Sequence, residues 1–322
     1  MIEVIPNISE GRRLNVIQTF VKSVSAIDGI HFLDHSSDPS HHRSVFTFAG
    51  NSEAVHEAAM ELARLTVGNI DLRKHEGVHP RLGALDVLPL VPLGNTPIQE
   101  CLNIAHSIGE AVAKSFNIPI FMYEMTASSE HRRRLEQIRK GGLQHLTDKL
   151  SDSKWKPDYG PSQPHPTAGI SVIGVRHHLI ALNINLHTDD VQVAQRIAKK
   201  IRASNGGLPD LKALGLCISN GTHSGAQVSM NLTNYRRTSI KRVVETVVQE
   251  ANNEKVPVAG TEFIGLIPWD AIKDNADTLI TKNIVREDQI IEVRLGQQLP
   301  ETDLIQSDSA SRTHNVSRKN DC

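Results

Sequence analysis

Two histidines, one arginine and two carboxylates crowd into residues 75–86, where His75, Glu76, His79, Arg81 and Asp86 are spaced by Gly77, Pro80 and Gly83. Imidazole titrates near pH 6.5, so such side chains on a turn at the edge of a sheet suit proton transfer near neutrality. The apolar run Ala84-Leu85-Asp86-Val87-Leu88-Pro89-Leu90-Val91 follows at once and predicts the strand that carries the turn. Residues 75–79 also match H-E-x-x-H letter for letter, which makes a zinc hydrolase using His75 and His79 the rival chemistry. That motif needs a helix, on which positions four apart share a face. Gly77 weakens a helix and Pro80 drives His79 toward extended backbone, so the sequence favours acid–base work without a metal.

The elements that must hold these groups follow from apolar periodicity. Strands are predicted at 2–6, 30–34, 44–49 and 84–92, with amphipathic helices at 12–27 and from about Ser52, as N-cap, to Val67. That order is βαββαβ, a layout in which an antiparallel sheet carries both helices on one face. A helix at 96–116, a strand at 118–123 and a basic helix from Ser128 extend it. Residues 151–169 lose periodicity, and four prolines (157, 161, 164 and 166) mark them as an inter-domain connection. The pattern then recurs: a strand pair over 170–186, a helix opened by Asp189 and Asp190, strands at 213–219 and 226–232, a helix from Thr238 to Asn253, and a strand at 257–264. Two further helices, about 269–281 and 285–298, cover the end. The expected class is therefore α+β: two α/β lobes, each with a βαββαβ-like sheet and helices outside, and a ligand cleft or tunnel between the sheets.

Composition limits the partners. The 322 residues suffice for one large domain or two ordinary ones. With 35 Lys and Arg against 36 Asp and Glu, the net charge of −1 gives no reason to expect nucleic acid or an anionic membrane. Cys101, Cys217 and Cys322 are far apart and odd in number, which fits a reduced, cytoplasmic enzyme. The N-terminal residues lack the pattern of a signal peptide, and no run of about 18 apolar residues predicts a membrane span. Histidine is the outlier at 16 residues, seven of them between His31 and His79.

Three more polar clusters stand where strands should end. Asn7-Ile8-Ser9-Glu10-Gly11 is either part of a site or, through Asn7 and Ser9, a helix cap. Residues 34–43, which include Asp38, His41, His42 and Arg43, form a connector longer than a hairpin needs, either a site or a solvated loop. Residues 158–169 hold backbone amides in fixed places through proline and glycine, which suits a planar heterocycle or a stiff tether. There is no Walker sequence, no G-x-G-x-x-G after a strand, no G-x-S-x-G elbow and no C-x-x-C pair.

Taken together, Asn7-Ile8-Ser9-Glu10-Gly11, Arg43-Ser44-Val45-Phe46-Thr47-Phe48 and the whole of residues 75–86 resemble the glutamate formimidoyltransferase family, in animals the front part of formimidoyltransferase-cyclodeaminase. Further matching strings are Gly160-Pro161-Ser162, His165-Pro166-Thr167-Ala168-Gly169, Leu182-Asn183-Ile184-Asn185-Leu186, Gln227-Val228-Ser229-Met230-Asn231-Leu232 and Gly265-Leu266-Ile267-Pro268. The resemblance runs in order from about residue 2 to about 300, without the cyclodeaminase portion. It implies an N-terminal subdomain over 1–178 and a C-terminal one over 179–303, while residues 304–322, polar and without periodicity, are expected to be a disordered tail.

The implied reaction moves a formimidoyl group between L-glutamate and N5 of tetrahydrofolate, a co-substrate, in histidine degradation. The resemblance makes His79 the catalytic acid–base. It also makes Gly160, Pro161, Ser162, Gln163, Pro164, His165, Pro166, Thr167, Ala168 and Gly169 the folate site, and suggests a homodimer without a metal. A cationic amidine calls for a carboxylate, with Asp38 or Asp86 as candidates, and Arg81 or Arg43 suits a glutamate carboxylate. His131-Arg132-Arg133-Arg134 either meets the anionic folate tail or is a solvated face. The chain departs from animal members at Ser36, where they carry an aspartate, and at Thr167-Ala168, where they have Ser-Trp. Formyl transfer between the same partners is the other reading, since both donors attach at N5.

Overall fold

A computed structural model describes residues 1–77, 79–220 and 223–299. The predicted tail at 304–322 lies outside the described residues. The chain divides into two compact units, Met1–Leu179 and Ile180–Cys322.

In the first unit the opening strand is broken in two by Pro6, which has no N–H to give to a ladder. It runs as β1 (Ile2–Val4) and β2 (Asn7–Ile8). Then follow α1 (Leu14–Ser25), β3 (His31–Asp38), β4 (Arg43–Gly50), α2 (Ser52–Asn69), β5 (Leu85–Pro92), α3 (Ile98–Phe116) and β6 (Ile120–Glu124). Two short helices, α4 (Leu135–Arg139) and α5 (Leu146–Ser151), precede β7 (Ser171–Val175). β3 lies beside β4, β4 beside β1 and β2, and these beside β5, all antiparallel. β7 and then β6 extend the sheet in parallel from β5.

The start of α2, between β4 and β5, is set by its cap. The Asn51 side chain accepts from the Ala54 amide, so Asn51, not Ser52, caps α2. Removing such a cap typically costs about 1 kcal/mol. Apolar positions on α1, α2 and α3 pack with Ile2, Val4, Phe46, Phe48, Leu88 and Leu90 in one core. On the opposite face Ile138 of α4 with Leu146 and Leu150 of α5 packs on Val87, Phe121 and Val172. The first sheet therefore carries helices on both faces, where the βαββαβ pattern predicted one.

Two expectations are corrected here. Residues 151–169 are no inter-domain connection, since they belong to the first unit and pair within it. The connector at 34–43 is shorter than its polarity suggested, because β3 continues to Asp38 and only residues 39–42 turn.

The second unit runs β8 (Ile180–Leu186), α6 (Val191–Ile201), β9 (Leu211–Asn220), β10 (His223–Leu232), α7 (Ile240–Asn253) and β11 (Val258–Ile264), the expected βαββαβ. Its antiparallel order is β11, β8, β10, β9. Along β8 buried and half-buried residues alternate, as a strand covered by helices on one face requires. The predicted strand pair over 170–186 does not exist: β7 joins the first sheet and β8 the second. The expected helices at 269–281 and 285–298 are short turns, with α8 (Ala276–Thr281) and α9 (Ile291–Arg294) between 3-10 segments.

Candidate active site

His79 stands in a loop between a 3-10 turn (Leu72–Lys74) and β5, outside any helix. The zinc motif therefore lacks the helix it needs. The two histidines also face different partners: His75 Nε2 donates to the carbonyl of His42, at 2.8 Å, whereas His79 Nε2 accepts from Arg43 Nη1. Among the described residues no group of three His, Cys, Asp or Glu side chains is placed to hold a metal ion.

A small pocket gathers residues from four segments. Ile8 and Ser9 come from the end of β2, His41, His42 and Arg43 from the turn into β4, His79 and Arg81 from the loop, and Asp86 from β5. Among the predicted site residues, His79, Arg43, Arg81 and Asp86 are thus brought together. Asp38 is not among them.

Burial is the main reason that His79 is driven down to about pKa 4, and the Arg43 and Arg139 guanidiniums push the same way. The ring is neutral at pH 7. Its Nδ1 is buried without a partner. Arg43 is itself lowered to about 10, by burial first and then by Arg139.

The loop is fastened on two sides. Arg81 staples it internally, donating from Nη2 to the His75 carbonyl at 2.6 Å and from Nη1 to the Gly77 carbonyl at 3.0 Å. Across to the hairpin, the His42 ring stacks on His75 with centroids 4.0 Å apart and planes 8° from parallel. Its Nδ1 faces the Glu76 carbonyl at 3.0 Å and its Nε2 faces Glu10 Oε1 at 3.2 Å. Both partners are acceptors. Glu10 is almost fully buried. Burial opposes its charge, but the amides of Arg13 and Arg12 and the Arg13 side chain outweigh that and hold the carboxyl at about 2. Burial also drives His75 down to about 4.

Asp86, 2% exposed, has neither oxygen to spare for a substrate cation. Oδ1 accepts from the amides of Leu82, at 2.7 Å, and Gly83, at 3.2 Å, and Oδ2 accepts from Arg139 Nη2. Asp38 serves the turn: Oδ1 accepts from the Ser40 and His41 amides at 2.7 and 2.9 Å, and Oδ2 contacts His41 Nδ1 at 2.6 Å. Of the basic run, Arg132 bonds the Lys156 carbonyl and the Asp158 carboxylate, at 2.8 and 3.1 Å, and so anchors the following segment rather than a free anion.

Residues 160–169 do not line the pocket, yet they are tied to its loop. The amide of Ala84 donates to the Ala168 carbonyl and that of Leu72 to the Thr167 carbonyl, both at 2.9 Å. Gly83 and Gly169 bridge. Gly169 has φ +69°, and a Cβ there would collide with the Leu82 carbonyl. His165 Nδ1 accepts from the Ala168 amide at 3.0 Å, which closes the segment on itself. Ser162, Gln163 and Pro166 stay exposed.

Sequence reasoning passed over Arg139, gave Glu10 no role of its own, and named His75 only as a rival metal ligand and His42 only as part of a polar connector. The charge of Glu10 and the pair of adjacent histidines were available as signals; nothing local distinguished Arg139.

The profile of the Formiminotransferase domain, N-terminal subdomain, matches residues 1–176, and that of the Formiminotransferase domain matches residues 181–306. Over 277 residues the chain is 43% identical to a protein named Glutamate formimidoyltransferase from Streptococcus pyogenes serotype M1, covering 86% of this chain and 92% of that one. A Thermoplasma acidophilum protein of the same name is 37% identical over 297 residues, covering 92% and 97%. Formimidoyltransferase-cyclodeaminase of Dictyostelium discoideum is 38% identical over 303 residues, 92% of this chain but 56% of that protein. With both units matched and a half-buried histidine set among arginines in the first of them, the chain belongs to the formiminotransferase family.

Proposed function

We propose that this protein is a glutamate formimidoyltransferase, transferring a formimidoyl group between L-glutamate and N5 of tetrahydrofolate in the breakdown of histidine. The observation that carries the reading is His79, a neutral imidazole half-buried in a pocket shared with Arg43, Arg81 and Asp86, in a chain of this family. The names of the Streptococcus and Thermoplasma relatives support the donor.

In the forward direction N5 of tetrahydrofolate attacks the formimidoyl carbon, and a new N5–carbon bond forms. His79 takes the N5 proton and returns it to the glutamate nitrogen as the old carbon–nitrogen bond breaks, so no further reactant is consumed. The folate rests on Gly160 to Gly169, whose hydrogen bonds to Ala84 and Leu72 couple it to the loop of His79. The subdomains of this reading are 1–178 and 179–303, in a cytoplasmic homodimer.

The test is a spectroscopic turnover assay with tetrahydrofolate and N-formimidoyl-L-glutamate. The native protein is expected to form the N5 adduct, and His79→Ala to lose about 100-fold or more in kcat, as removal of a general acid–base does, while keeping its circular dichroism spectrum. Full activity in His79→Ala would refute the assignment.

A further inference from the structure

Arg43 stands where the base needs its free lone pair. Its Nη1 donates to His79 Nε2, the nitrogen that would accept a proton, so that lone pair is occupied. The Nε atoms of Arg43, Arg81 and Arg139 are buried with no partner. Arg139 is paired with Asp86, which leaves no free carboxylate for Arg43. Asp86 is filled by two backbone amides and Arg139, and Glu10 by Arg13, two amides and His42. Arg81 gives Nη1 and Nη2 to loop carbonyls, so its outer nitrogens are already engaged. A buried cation without an anion is costly, so the excess positive charge at Arg43 calls for one from outside the chain.

We propose that Arg43 anchors the α-carboxylate of the amino-acid substrate, and that this carboxylate draws the guanidinium off His79 and so uncovers the base. The inference rests on the functional reading above and names what that reading leaves open. The α-carboxylate is favoured over the γ because it sits on the same carbon as the reacting nitrogen. A guanidinium touching Nε2 therefore brings that nitrogen to the ring, whereas the γ-carboxylate lies at the far end of the side chain. Arg139, locked by Asp86, keeps the field positive after Arg43 is neutralised. Binding also removes a positive charge from beside His79, so the ring becomes a better base only when substrate is present. Arg43 is thus a binding residue that restrains the acid–base group in the empty enzyme.

Two measurements test this. The first compares N-formimidoyl-L-glutamate with its α-carboxamide as donors for the native enzyme and for Arg43→Gln. The native enzyme is expected to prefer the acid by roughly 30-fold or more in kcat/KM, the scale of a lost charge-assisted hydrogen bond. Arg43→Gln should bring that preference to within a few-fold. An undiminished preference in Arg43→Gln overturns the anchor. The second follows the His79 ring by NMR titration, with and without saturating L-glutamate, its signal identified by loss in His79→Gln. Its pKa should climb from about 4 toward the ordinary 6.5 when glutamate is added. In Arg43→Gln it should start higher and move little. No movement in the native enzyme overturns the uncovering. If the native enzyme turns over neither donor yet glutamate still shifts His79, the formimidoyl reading fails while the anion site stands.

Discussion

At the scale of single residues, the pocket is a problem of charge. Three guanidiniums, from Arg43, Arg81 and Arg139, surround one buried carboxylate, and that carboxylate is fully engaged. The sequence supplied Asp86 as a possible partner for a cationic amidine, but its oxygens hold an arginine and two amides instead. Asp86 is therefore best understood as the residue that fixes Arg139 and the backbone just after the His79 loop. Asp86→Asn keeps the size and one acceptor but removes the charge beside Arg139. It is expected to lower stability by roughly 2–4 kcal/mol, the cost of leaving one member of a buried pair unmatched, and to raise KM for the glutamate substrate. A denaturant midpoint equal to the native one would show that Arg139 does not depend on it.

At the scale of elements, the site depends on a loop without regular structure that is held from three directions. The hairpin tip grips it through the His42–His75 stack, Arg81 ties it internally, and residues 167–169 clamp its exit. The clamp works because Gly83 and Gly169 let two backbones approach closer than any side chain permits. Gly169→Ala would place a methyl group against the Leu82 carbonyl at a left-handed φ, a strain of at least about 1 kcal/mol. The expected result is a lower thermal midpoint together with a higher KM for tetrahydrofolate. A variant with unchanged KM would mean that residues 160–169 do not hold the folate. The short helix α4 has a comparable role, since Ile138 is buried in the second core of the sheet and thereby delivers Arg139 to Asp86.

At the scale of the whole molecule, the buried titratable groups make stability depend on pH in a definite direction. His75 and His79 both have folded pKa values near 4, below the ordinary 6.5. Above pH 6.5 neither the folded nor the unfolded form binds a proton there. As pH falls from 6.5 toward 4, only the unfolded chain takes up protons, so stability declines across that window. Glu10 acts lower down: its contribution is complete above 4.5 and disappears as pH falls toward about 2. Urea midpoints measured at pH 7 and pH 5 should differ, the lower pH giving the lower midpoint, and His79→Gln should narrow the gap. An equal or higher midpoint at pH 5 would contradict the buried, neutral assignment of these rings.

The amino-acid sequence alone was enough for the α+β class, for the βαββαβ order in each half and for the family, and it nominated His79 as the base proposed above. These are local properties: periodicity of apolar residues, and a short string in which proline and glycine set the backbone around a histidine. Folding decided which groups meet. Arg43 and His79 are 36 positions apart, Asp86 and Arg139 are 53 apart, and Glu10 reaches His42 over 32. Nothing in the pattern around any of them indicates the partner, because the choice is made by strand register and by how α4 and the hairpin pack on the sheet. The same holds for Asp38 and Arg81, whose residue types suited a substrate but whose carboxylate oxygens and Nη atoms the fold uses to close a turn and staple a loop. Residue chemistry names what a side chain is able to do, and the neighbours that burial brings to it determine what is left free to act on a ligand.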